Sequence, residues 1–149
     1  MESAVFSCPA SWREHLPQGV RGLDHPRDLA GKSWEVLALT RRGLDSLGAV
    51  LPSCRILLAP GDSLPEVPAE AVITYGLSPR DSLTLSSLRS PVLCVQRALP
   101  RPDGTAVEPQ EFPLPPLPAP AEELLPLLGI KLLYLPLDTG SLLWYSRHS

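Results

Sequence analysis

Asparagine is absent from the 149 residues, and lysine nearly so, with Lys32 and Lys131 set against eleven arginines. That bias fits a GC-rich genome, so part of the Pro, Arg and Ala content reflects codon usage. Cysteine is scarce and odd in number: Cys8, Cys54 and Cys94 are too far apart for a disulfide framework or a zinc site. They read as small apolar groups. Aromatic residues make up 5%. A surplus of positive charge is missing too. The formal charge is −3, whereas a nucleic-acid binder needs Lys and Arg in excess to displace phosphate counterions. The pair Arg41 and Arg42 is too short to form a basic stripe and reads as a solvated helix start. Nucleic acid is therefore excluded as an expected partner.

Long apolar runs are lacking as well. Met1 to Gly19 carries Glu2, Arg13 and Glu14, and holds no run of the roughly 7–15 apolar residues a secretion signal needs. The longest apolar region, Leu124 to Leu137, is broken by Pro126, Gly129, Lys131 and Pro136. It falls short of the ~18 residues that span a bilayer. No membrane span is expected, and the default location is cytoplasmic.

What is present is an apolar fraction of 44%, dominated by Leu, in a chain of ordinary single-domain length. Nineteen prolines have to be placed around that core. Residues 1–33 contain Pro9, Pro17, Gly19, Gly22, Pro26 and Gly31 and show little periodicity. They read as an irregular arm with one helical turn near Ser11 to Leu16. The core is expected over 34–112. Trp34 to Leu39 and Cys54 to Ala59 have the short apolar runs of buried strands. Between them, Leu44, Leu47, Val50 and Leu51 recur at helical spacing until Pro52, giving a compact βαβ unit. Glu70 to Tyr75 is a third strand, Ser82 to Leu88 a fourth, and Pro91 to Leu99 a fifth. Arg101-Pro-Asp-Gly104 is a strong turn signal, so Thr105 to Phe112 returns antiparallel. Five prolines between Phe112 and Pro120 make 113–120 a stiff extended connector, or else a ligand for an aromatic groove. Over 121–149 the pattern gives a helix from Ala121 to Gly129, a last strand from Ile130 to Leu137, and an apolar tail through Leu142 to Tyr145. The fold class is α/β: a small, mainly parallel sheet with one or two covering helices and an antiparallel hairpin.

Catalytic motifs are missing. Gly31-Lys32-Ser33 lacks the earlier glycine and the preceding strand of a phosphate loop, position 26 being proline. His15, His25 and His148 form no metal motif with one another or with Cys. Asp24-His25 precedes a proline and reads as a turn. Ser86 and Ser87 have no base nearby in sequence. No enzyme activity, cofactor or metal is implied. The most distinctive stretch is Thr74-Tyr-Gly-Leu-Ser-Pro-Arg-Asp81, where polar groups follow an apolar strand at a glycine. Ligands in open α/β sheets collect at the carboxyl ends of strands. Thr74, Tyr75, Gly76, Ser78, Arg80 and Asp81 are accordingly the candidate ligand-binding residues.

Val72-Ile-Thr-Tyr-Gly-Leu-Ser78 with Asp81 resembles the strand and turn late in the central domain of the Mur ligases. Leu39-Thr40, Leu44-Asp45 and Leu47-Gly48, then Leu57-Leu58-Ala59 with Gly61-Asp62, are similar to the segments before it. The likeness covers about 35–114. It implies an α/β domain closed by a small antiparallel sheet, here Val92 to Leu114, in enzymes that add amino acids to peptidoglycan precursors with ATP. The family's phosphate loop has no counterpart in this sequence. Arg42-Gly43 stands near where its magnesium-binding His falls. The resemblance thus implies a non-catalytic relative. Two functions follow as expectations: a non-enzymatic bacterial domain that binds a protein partner or itself, and, alternatively, a small-ligand or nucleotide-binding module.

Overall fold

A computed structural model describes residues 1–48, 52–87 and 89–134. Eight strands form one sheet, in the order β10-β7-β6-β5-β4-β3-β1-β2. They are β1 (Ser3–Phe6), β2 (Val20–Leu23), β3 (Ser33–Leu39), β4 (Ser53–Pro60), β5 (Ala69–Tyr75), β6 (Leu83–Leu85), β7 (Val92–Val95) and β10 (Gln110–Pro113). From β2 through β6 all neighbours are parallel, and β7 and β10 close the sheet antiparallel. A separate two-stranded ribbon pairs β8 (Leu99–Pro100) with β9 (Ala106–Val107). The helices are α1 (Arg41–Ser46) and α2 (Leu125–Tyr134). This is the α/β architecture that the sequence pattern implies.

The side-chain period of two divides the core. Val36, Ala38, Ile56, Leu58 and Ile73 pack on one face together with α2, the ribbon and Trp12. Ala4, Phe6, Leu37, Leu39, Leu57 and Trp34 pack on the other, with Leu44 and Leu47 of the α1 region. Burial on both faces is why β3 and β4 read as continuous apolar runs.

Residues 1–33 are not an irregular arm. Ala4, Val5 and Phe6 pair in register with Leu37, Ala38 and Leu39, and β2 extends the sheet beyond them. The strands are only four residues long and lie between prolines and glycines, so no window shows a period. Three-residue or longer partners on the neighbouring strand supply the order instead.

The expected strand from Ile130 is also corrected. Ile130 to Tyr134 continues α2, while 135–137 lie outside the described residues. A short apolar run does not by itself distinguish buried strand from buried helix. Here Gly129 settles the packing, because a Cβ there would lie 2.8 Å from a Leu58 methyl. The glycine lets α2 lie directly on the sheet. Pro126 sits in the first turn of α2, where its missing N–H costs nothing. The expected apolar tail, Leu142 to Tyr145, lies outside the described residues.

The turn at 101–104 forms as expected. The Gly104 N–H donates to the Arg101 carbonyl (3.0 Å), and Asp103 accepts from the Thr105 N–H (2.9 Å). The returning chain splits its pairing between β8 and β7, giving β9 and β10. Leu114, Leu117 and Ala119 of the proline-rich segment pack against the α2 side of the core.

Candidate functional site

The strand order reverses between β1 and β3: from β1 the chain goes outward to β2, then returns past it to β3 and onward to β4 and β5. At such a switch point the loops leave in opposite directions and open a crevice at the carboxyl ends of the strands. A cleft of about 840 Å³ lies there. Ser7 after β1, Thr40 and Arg41 after β3, Gly61 and Asp62 after β4, and Gly76 after β5 all line it. Trp12 and the start of α2, Leu125 and Pro126, give it an apolar side.

Hydrogen bonds to the strand ends fix the floor. Thr40 caps α1: its hydroxyl accepts from the Gly43 N–H (3.0 Å) and points at the carbonyls of Phe6 and Ser7 (3.1 Å each). Gly43 lies against β1, where a Cβ would come within 2.6 Å of the Phe6 carbonyl oxygen. The Tyr75 hydroxyl donates to the Leu39 carbonyl (2.7 Å), tying the end of β5 to that of β3. Burial raises the Tyr75 phenol well above its ordinary range, so it stays a donor. Arg41 grips Asp62 through two hydrogen bonds of 3.0 Å each. That fork holds the Asp62 carboxyl below the usual carboxylate range and raises the Arg41 guanidinium further.

Asp81 is the buried charge of the site, with 6% of its surface exposed. Its Oδ2 accepts from the Ser78 N–H at 3.1 Å. Its Oδ1 accepts no hydrogen bond among the described residues. Two glycines make room for it: a Cβ on Gly61 would fall 1.8 Å from Oδ1, and one on Gly76 2.5 Å from Oδ2. The turns after β4 and β5 are thus shaped around this carboxylate.

Of the six candidate residues, Tyr75, Gly76, Ser78, Arg80 and Asp81 line the cleft. Thr74 does not; its hydroxyl accepts from the Ser82 N–H (3.0 Å) and holds the loop that carries Asp81. Sequence reasoning missed Ser7, Trp12, Thr40, Asp62, Glu122 and Glu123 as cleft residues. Only Thr40 and Asp62 carried a usable signal, being polar residues directly beyond buried strands. Ser7 has φ +59°, the one positive value outside glycine among the described residues. Among these residues no group of three His, Cys, Asp or Glu is placed to hold a metal ion. No described helix is long and apolar enough to cross a membrane.

Fold and site together define a class, an α/β domain with a cleft at the carboxyl edge of its parallel strands. No protein-family model, curated protein or solved structure matches the chain.

Proposed function

We propose that this domain binds a small polar ligand in the cleft at the carboxyl ends of β1, β3, β4 and β5. The observation that carries the reading is Asp81. A carboxylate takes up donors where the protein leaves it short of them, and in this cleft residue only Oδ2 has a donor among the described residues, the Ser78 N–H. A hydroxyl, amide N–H or ammonium group of a ligand supplies the missing donor. The volume of about 840 Å³ suits a compact organic molecule. Trp12 and Leu125 provide apolar contact beside the polar floor. The likeness of 35–114 to the late Mur ligase central domain leads to the same strand ends. The missing phosphate loop favours binding without ATP-driven ligation.

Docking of a protein partner has less support. The apolar side chains of the proline-rich segment are half-buried against the core, and the tail lies outside the described residues.

The test is a thermal-shift screen against nucleotides with magnesium, cell-wall precursors, sugar phosphates and short peptides, followed by calorimetry of each hit. A ligand at 100 times its Kd adds ~2.7 kcal/mol of stability. Asp81→Asn keeps an acceptor for Ser78 and removes the charge. It is expected to weaken any hit at least tenfold, about 1.4 kcal/mol. Equal affinity in the variant, or a blank screen on a sharply melting protein, overturns the reading.

A further inference from the structure

Apart from the Arg41–Asp62 pair and buried Asp81, the charges of the cleft are exposed and come from separate elements by sign. Arg42 lies in α1, which packs on the sheet face holding Phe6 and Leu57. Glu122 and Glu123 lie in the 3-10 turn Ala121–Leu124, which leads into α2 on the opposite face. Arg80 stands on the loop after β5, and all four residues are exposed at the cleft. None of them forms an ion pair with another described residue, whereas Arg41 in the same cleft is held by Asp62. Apolar groups line the cleft beside the polar floor: Trp12, Leu125 and the half-exposed Leu77.

We infer that the ligand is a short zwitterionic peptide, its carboxylate toward Arg42 and Arg80 and its ammonium toward Glu122 and Glu123. This inference rests on the ligand-binding reading and specifies the chemistry of the occupant. A guanidinium pairs well with a carboxylate, in either one- or two-bond geometry. The acidic pair accepts an ammonium, and apolar side chains suit the middle. Length follows from size. A sphere of the cleft's volume is about 12 Å across, and an extended chain advances ~3.3–3.6 Å per residue, so about three residues span it. A free amino acid is too short to reach both sides at once. Opposite charges on opposite sides also fix the peptide's direction.

Calorimetry on the full chain tests this with alanyl-leucyl-alanine, its N-acetyl form and its C-terminal amide. The free peptide is expected to bind, and each capped form at least tenfold more weakly. The double variant E122Q/E123Q should weaken the free peptide by the same factor and become indifferent to acetylation. R42Q/R80Q should become indifferent to amidation. All four side chains are exposed, and an unchanged melting transition verifies folding of both variants. Capped and free peptides binding alike overturns the inference. Should no peptide bind while a nucleotide or sugar phosphate binds and is lost in D81N, the cleft is a ligand site and the peptide assignment falls. Should neither class bind, both readings fall.

Discussion

At the scale of single residues, the cleft contains backbone that the fold forces out of its usual range. Ser7 takes φ +59° directly after β1, a conformation that costs an L residue with a Cβ roughly 1–2 kcal/mol. The surroundings hold it there: its N–H donates to the Leu23 carbonyl (2.7 Å) and its own carbonyl receives the Thr40 hydroxyl. Its side-chain hydroxyl makes no hydrogen bond among the described residues. Ser7→Gly should therefore stabilise the protein by about 0.5–1 kcal/mol, part of the relief being offset by the entropy of glycine in the unfolded chain. For a chain of this size that is a rise in Tm of about 2–4 °C per kcal/mol, read by scanning calorimetry. A lower Tm would show that the Ser7 side chain supports the cleft. None of this was legible in the sequence, since Ser7-Cys8-Pro9 carries no glycine to mark the left-handed position. Gly76, Ser78 and Asp81 were legible because a polar cluster ended an apolar run, and a buried strand has no use for such groups within its length.

At the scale of elements, α2 shows where pattern and position part. Every residue from Leu125 to Leu133 is buried, so the helix has no polar face to reveal its period. Its length and the return of the chain onto the sheet, rather than its local sequence, make it a helix. Its C-terminal end is anchored by Tyr134, whose hydroxyl donates to Glu35 Oε1 (3.0 Å) in β3 and bonds Ser3 of β1. Burial pushes this phenol up to about 12. Because the folded value exceeds the ordinary one near 10, the neutral phenol's contribution is complete below pH ~10 and is lost as pH rises toward 12. Denaturant titrations at several pH values should show stability falling across that window. Tyr134→Phe should flatten the part of the fall that belongs to this group. An unchanged slope would mean that other groups set alkaline stability, such as the Cys8 and Cys54 thiols, which burial raises to about 11.

For the whole molecule, the sequence suggested a core beginning at residue 34, and the sheet shows what that boundary would remove. The βαβ unit and the following strands were visible because each fills a window long enough for a period to register. The first two strands were hidden by their length and by the Pro and Gly around them. Those strands nevertheless complete both halves of the core. Val5, Trp12 and Val20 belong to the α2 side, and Phe6, Leu23 and Leu29 to the α1 side. Burying such a side chain is worth ~1.5–3 kcal/mol, so six of them match the whole 5–15 kcal/mol by which a domain is stable. Their loss would also bare the backbone edge of β3, an invitation to pairing between chains. It would remove Ser7 and Trp12 from the cleft and the Ser3 partner of Tyr134. A chain starting at residue 34 should therefore show no cooperative thermal transition by circular dichroism and should aggregate on purification. A sharp transition within about 5 °C of the full-length value would restore the arm reading. The same measurement on a deletion confined to 142–149, which leaves β1 and β2 in the chain, separates loss of the sheet edge from a general intolerance of truncation.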